Sequence, residues 1–289
     1  MKSHQHHGRH HHEGTGEIDA AAMVELLDLD AEVMHSYLSE VVAWVHDLAT
    51  DRPCRRILDL GCGTGSGTFV LAARFEAADV IAVDMSAVLL ARLSDKARDR
   101  GVANRIRTVE ADLDHVWPAI DAVDLAWASN SLHHMSDPDR VLADVFATIR
   151  PGGLLAVAEV ESFPRFLPDD VGLGRPGLEA RCHAAAAEAR AHDLPHLGDD
   201  WGARLRGAGF AIEGERRFTI DLPRPLPAAT GRYAQASLRR LRSGLDGRLD
   251  ADDLGTLDAL IDGHNSLGVL RRDDLTVRAA RTVWVARRP

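Results

Sequence analysis

One stretch constrains the fold more than any other: Ile57-Leu58-Asp59-Leu60-Gly61-Cys62-Gly63-Thr64-Gly65-Ser66-Gly67. A short apolar run leads into glycines at alternate positions, and residues 68–75 that follow are expected to be helical. Glycine reaches positive φ and lets a ligand come against bare backbone. A helix starting there adds unpaired N–H groups and the positive end of its dipole. Spacing narrows the ligand. A dinucleotide fingerprint needs G-x-G-x-x-G, but the sixth position is Ser66 counted from Gly61 and Thr68 counted from Gly63. No Gly-Lys-Ser/Thr follows, so a P-loop is excluded as well. What stands is Asp-x-Gly-x-Gly-x-Gly, with Asp59 two places before the first glycine.

Around this unit, apolar runs of strand length recur at 57–60, 80–83, 106–109, 123–128 and 154–160, most of them separated by helix-length amphipathic segments. Such alternation predicts a parallel sheet with helices on both faces, and right-handed crossovers put the carboxyl ends of the strands along one edge. Ahead of it, helices are expected at 20–27 and 31–48, the second burying Val33, Tyr37, Val41, Trp44, Val45 and Leu48. After 160 come a Pro/Gly-rich stretch at 162–177, helices at 178–191 and 200–207, an extended segment at 218–222, helices at 228–242 and 252–261, and a last strand at 276–286. The expected organisation is a histidine-rich tail at 1–16 and a single domain at 17–289. That domain divides into a helical cap at 17–52, a core at 53–161, and a remainder at 162–289 that completes the sheet and carries a helical insert at 223–273.

Composition removes several classes of function. With 289 residues, 45% hydrophobic and 27% charged, the chain has ample material for a core. The net charge of −10 argues against a backbone-driven nucleic-acid binder. No apolar run approaches the roughly 18 residues of a membrane span, and no signal-like apolar segment opens the chain, so a cytoplasmic location is expected. Cys54, Cys62 and Cys182 cannot make a disulfide framework or a close-spaced metal set. His4, His6, His7, His10, His11 and His12 lie outside every chemical motif and are read as a dispensable tail, without a metal role.

Two further strands end in carboxylates. Val80-Ile81-Ala82-Val83 runs into Asp84, 19 residues after Gly65, where an acid can accept both hydrogen bonds of a ribose diol. The third strand leads to Asp112-Leu113, and the fourth ends in Ser129-Asn130-Ser131-Leu132-His133-His134. In this order and spacing, ILDLGCGTG, VIAVDMS, VEADL, SNSLHHMSDPDRVL and IRPGGLLAVAEV resemble class I S-adenosylmethionine-dependent methyltransferases of the small-molecule branch, over roughly residues 55–161. The resemblance implies a Rossmann-like, doubly wound, seven-stranded α/β sheet with its last strand antiparallel. The implied cofactor is S-adenosyl-L-methionine, leaving S-adenosyl-L-homocysteine. Asp59, Gly61 and Gly63 would contact its methionyl part, with Cys62 and Gly65 in the same turn. Asp84 would take the ribose, Met85 would pack on the adenine, Asp112 would hold the adenine amino group and Leu113 would lie beside the ring. Asn130 and Leu132 would line the sulfonium end.

Methyl transfer from a sulfonium is an in-line displacement in which the protein aligns the acceptor and excludes water. An oxygen or nitrogen acceptor, favoured here over carbon, also has to lose a proton. His133 and His134 follow the fourth strand where the acceptor belongs, and histidine has the pKa for a base. Glu161, with Glu159 on the same strand, competes for that role, and unassisted proximity is a third route. Ser129–Leu132 lacks the Asn/Asp-Pro-Pro-aromatic motif of nucleic-acid amino-methyltransferases, and no cysteine stands there for cytosine-C5 chemistry. The expected partner is therefore a small-molecule acceptor, without nucleic acid or membrane, for a monomer or homodimer. The insert, with Tyr233, Leu238 and Leu241 on an arginine-rich helix, reads equally as a substrate lid or as a dimerisation or solvated helix. The alternative function is a non-catalytic S-adenosylmethionine- or S-adenosylhomocysteine-binding scaffold, since intact motifs show binding rather than turnover.

Overall fold

The computed structural model describes residues 13–50 and 52–289. Two helices, α1 (Glu13–Val33) and α2 (His35–Leu48), precede an alternation of β1 (Arg56–Leu60), α3 (Ser66–Arg74), β2 (Asp79–Asp84), α4 (Ala87–Asp99), β3 (Ile106–Glu110), β4 (Val123–Ser129), α5 (Pro138–Thr148) and β5 (Ile149–Arg165). There follow α6 (Leu178–Asp193), α7 (Trp201–Gly207), β6 (Ala211–Asp221), α8 (Thr230–Arg242), α9 (Ala251–Ile261) and β7 (Arg278–Arg287). The strands form one seven-stranded sheet of order β3-β2-β1-β4-β5-β7-β6. The pairings among β1 to β5 are parallel, and β7 runs antiparallel between β5 and β6. This is the expected Rossmann-like sheet with its last strand reversed. The strand order turns round between β1 and β4, and that switch point opens a crevice at their carboxyl ends.

Alternate residues of each buried strand feed opposite layers, as a period of two requires. Ile57, Val80, Leu125, Ala156 and Val285 pack with Val41, Val45, Leu71, Tyr233 and Leu238 on the side of α1, α2, α3 and α8. Leu58, Ile81, Ala126, Leu155 and Ala286 pack with Val141, Leu142, Val145 and Leu205 on the side of α5 and α7. No described helix is long and apolar enough to cross a membrane.

Strand β5 is longer than the expected 154–160, and three further boundaries depart from expectation. Helix α1 begins at Glu13, inside the 1–16 segment assigned to a tail; residues 1–12, which hold the six early histidines, lie outside the described residues. The same helix runs on through Asp28 and Asp30, where a break between two helices was expected, because tertiary partners satisfy both acids. Lys96 Nζ and Arg92 Nε donate to Asp28 at 2.7 and 2.8 Å, and the Tyr233 hydroxyl donates to Asp30. Strand β6 starts at Ala211 rather than near 218, since its whole length pairs with β7. It lies at the margin of the sheet with Glu213, Glu215, Arg216 and Arg217 along it, so no apolar run announces it.

Lys96 also donates to the carbonyl of Thr64 at 2.8 Å, so one ammonium fastens both α1 and the glycine turn to α4. Burial lowers the Lys96 pKa and the Asp28 carboxylate offsets this in part; at Asp28 burial raises the pKa, but the Lys96 and Arg92 bonds prevail and lower it. Lys96→Ala is expected to destabilise the fold by about 2 kcal/mol, since it takes one of two cationic partners from a partly buried carboxylate and the donor from the Thr64 carbonyl. Denaturant titration of Lys96→Ala, Asp28→Ala and the double variant checks this, and the double variant should lose less than the sum of the singles.

Candidate active site at the carboxyl edge of the sheet

The turn after β1 is left-handed at Gly61, Gly63 and Gly65, with φ of 65°, 54° and 91°. Gly61 is demanded by close approach as well: a Cβ there would stand 2.5 Å from the Cβ of Ser131, whose hydroxyl donates to the Leu60 carbonyl at 2.8 Å. The ends of β1 and β4 therefore meet without side-chain atoms between them. Gly67, inside α3, lets Trp127 and Asp59 tuck beneath the helix, for a Cβ would lie 2.7 Å from the indole nitrogen. Cys62 donates its amide to the Val83 carbonyl and turns its side chain into a small core with Phe69, Leu90 and Leu93. Burial, then the charges of Asp59 and Asp84, push its thiol pKa up, so Cys62 lends the site only backbone. Leu27 of α1 closes over the turn, 3.3 Å from where a Gly63 Cβ would be.

Two carboxylates brace this turn. Asp84 Oδ2 accepts from the Gly63 amide at 2.8 Å and Oδ1 from the Ser86 amide at 2.9 Å, and each oxygen retains a lone pair for a hydroxyl donor. Asp59 is buried and accepts from the Thr68 hydroxyl at 2.6 Å. Burial pushes its pKa up to about 7; the Thr68 bond opposes the rise and the Asp84 charge adds to it. Next to Asp84, Met85 leaves 68% of its surface exposed, an apolar platform in solvent. Asp112 accepts from the Asp114 amide at 3.0 Å and bonds the His115 ring at 2.8 Å, contacts that lower its pKa in that order. The Leu113 side chain is buried in the core layer, so only its backbone faces this edge.

At the end of β4, Asn130 has φ of 52°, the sole positive value at a described residue other than glycine. Asparagine tolerates that region better than most residues, and its use at a strand end marks a constrained site. Its amide donates to the Ala158 carbonyl at 2.8 Å, while its side-chain oxygen is buried without a partner. Leu132 is fully buried and donates its amide to Glu159 Oε1 at 3.1 Å; His133 Nδ1 lies 2.5 Å from Glu159 Oε2. His133 and Glu159 are both buried. The ring of His134 is 4.3 Å from that of His133, exposed yet ringed by enough protein that desolvation, then His133 and Arg240, pull its pKa down to about 4. Glu161 is engaged elsewhere: Arg217 Nε donates to both its oxygens, at 2.8 and 2.7 Å, on the exposed surface. The edge thus gathers Asn130, Leu132, His133, His134 and Glu159 and leaves Glu161 outside. The signal for Glu159 was a carboxylate at the end of an apolar run, which it shared with Glu161. A cavity of about 820 Å³ between α1, α2, α3 and α4, lined by Asp28, His35, Phe69, Arg92 and Lys96, reaches this turn only at Ser66.

Residues 57–153 match the family model of a methyltransferase domain, and they carry every element of this edge except Glu159 and Glu161. Over this segment the chain is similar to methyltransferase domains. The chain is 34% identical over 157 residues to methyltransferase GfsG of Streptomyces halstedii, covering 54% of this chain and 53% of that protein. The chain is also 37% identical over 110 residues to the trans-aconitate 2-methyltransferase of Deinococcus radiodurans, covering 38% of this chain and 40% of that protein. The match thus spans about half or less of these curated relatives. The methyltransferase fold is shared with the crystal structure of the [4+2]-cyclase SpnF at a TM-score of 0.51 and 22% identity, covering 87% of this chain and 81% of that one.

A carboxyl whose folded pKa lies near 7 rather than at the ordinary 3.8 favours the fold while protonated and loses that contribution as pH rises from about 4 through 7. Asp59→Asn, which keeps an acceptor for Thr68, should therefore be more stable than the wild type at pH 8 by a few kcal/mol. The advantage should vanish below pH 4, and thermal melts across pH 4–8 test the crossover.

Proposed function

We propose that this chain transfers a methyl group from S-adenosylmethionine to a small-molecule acceptor. The observation that carries the reading is the left-handed glycine turn clamped by Asp84, inside the segment that matches the methyltransferase family. In this reading the bare backbone of Gly61, Cys62, Gly63 and Gly65, with Asp59 beneath it, receives the methionyl part of the cofactor. Asp84 takes the ribose hydroxyls on its free lone pairs, Met85 covers the adenine, and Asp112 with the Leu113 backbone reads the adenine edge. Asn130, whose buried oxygen has no protein partner, and Leu132 border the sulfonium. When bound, the cofactor supplies an electrophilic methyl group, and the protein supplies alignment, exclusion of water and a proton acceptor.

The proton acceptor in this reading is His133. If its Nδ1–H donates to Glu159, the other ring nitrogen is fixed as an acceptor, and an oxygen or nitrogen nucleophile can pass its proton there. Glu159 is then a positioning residue that holds the tautomer and, through the Leu132 amide, the turn itself. His134, with a pKa near 4, is neutral at physiological pH and shields its neighbour. Glu161 drops out because Arg217 occupies its carboxylate. A small acceptor is in keeping with the relatives, one of which is named for trans-aconitate.

Calorimetry with S-adenosylhomocysteine tests the cofactor half. Asp84→Asn should weaken binding at least tenfold, because a charge-assisted bond becomes a neutral one, and unchanged affinity would refute the assignment. Turnover tests the rest, followed as S-adenosylhomocysteine release over a panel of acceptors. Glu159→Gln should lower kcat by 10- to 100-fold while KM for S-adenosylmethionine stays put, and His133→Ala/Glu159→Gln should be no slower than His133→Ala. A protein that binds S-adenosylhomocysteine tightly but stays silent across the panel would favour a scaffold.

A further inference from the structure

Across the sheet from Glu159 lies a buried cation that the methyl-transfer machinery above does not use. Arg281 of β7 pairs with Val160 of β5 and Phe218 of β6, and it is only 5% exposed. Its Nη1 donates to the carbonyls of Ser162 and Ala280 at 2.7 and 2.9 Å. The other edge of the guanidinium, Nε and Nη2, has no hydrogen-bond partner, and no described carboxylate comes within ion-pair distance of Arg281. A buried guanidinium is ordinarily retained only where its charge and its donors are matched.

The surroundings are polar and face the same sheet surface. The Tyr37 ring packs edge-on against Phe218, Arg281's cross-strand neighbour, with centroids 5.8 Å apart, and its hydroxyl is buried with no partner. Tyr233 of α8 donates to Asp30 of α1. Arg281 lies within electrostatic reach of Tyr37, Asp30 and Tyr233, and Tyr37 within reach of Glu159, the strand neighbour of Arg281's partner Val160. A guanidinium edge with two parallel N–H donors, beside one free hydroxyl, matches a planar monoanion. Asp30 close by disfavours a dianion such as phosphate.

We infer that Arg281 and Tyr37 form the acceptor subsite and that it binds a carboxylate, making the methyl acceptor a small carboxylic acid. This rests on the methyl-transfer reading above. Helices α1, α2 and α8, whose Asp30, Tyr37 and Tyr233 surround the guanidinium, then select the substrate as well as cover the sheet. Specificity then sits outside the segment that matches the family, on the cap, the insert and the last strand, where Arg281 was invisible among the other arginines of the sequence.

The test is calorimetry on the full chain saturated with S-adenosylhomocysteine. Propionate, a monoanion, is the probe, propionamide its neutral counterpart and inorganic phosphate the competing anion. Propionate should bind at least tenfold more tightly than propionamide or phosphate. Arg281→Gln should weaken propionate at least tenfold with S-adenosylhomocysteine affinity unchanged, and Arg281→Lys should recover part of the loss. Tyr37→Phe removes only the orphan hydroxyl: it should weaken propionate severalfold yet raise the unfolding midpoint of the ligand-free protein, and it serves if Arg281→Gln does not fold. Propionate binding absent, no tighter than propionamide, or indifferent to both substitutions overturns the inference, and tighter binding of phosphate overturns the carboxylate assignment. Failure to bind S-adenosylhomocysteine itself would instead strike the methyl-transfer reading.

Discussion

The carboxylate of Asp84 is the contact on which the functional edge depends. One oxygen holds the amide of Gly63 and the other the amide of Ser86, so a single side chain at the end of β2 fixes both the glycine turn and the start of α4. Without it, three left-handed glycines at alternate positions would make a permissive stretch of backbone. Lys96 completes the brace from the far side by holding Thr64 and Asp28 together. The turn is therefore preorganised by charges as well as by the packing of Cys62, and preorganisation is what a ligand-binding backbone needs.

Much of this was legible in the sequence, for physical reasons that also explain the misses. Buried parallel strands such as Val80–Val83 are uninterrupted apolar runs, and the turn after β1 needs glycine at fixed spacing, so the sheet and its switch point could be read directly. Strand β6 escaped because a marginal strand is paired on one side only and carries charge where a central strand carries valine. The continuity of α1 escaped because the partners that tolerate Asp28 and Asp30 lie 64 to 203 residues away.

The site divides along the same line. Asp59, Asp84, Asp112, Asn130 and His133 follow their strands at positions set by local geometry, so motif and structure agree on where they are. The choice between Glu159 and Glu161 could not be made locally, because it depends on Arg217 reaching across from β6 and on the Leu132 amide descending from the β4 turn. Arg281 is the extreme case: one of many arginines in the sequence, singled out only by what surrounds it. The match to a [4+2]-cyclase at 22% identity points the same way, since a shared sheet leaves the chemistry to such residues.

The charged margin of β6 has a consequence for the company this protein can keep. An open strand is a template on which another chain can extend the sheet. Here the register slips between Ile212 and Gly214, and the run from Glu213 to Arg217 sets acids beside arginines along the border. A second copy laid against that border would have to desolvate those charges and follow a kinked backbone. Growth of the sheet into fibres or edge-to-edge pairs is blocked at this end by the same residues that made the strand hard to recognise.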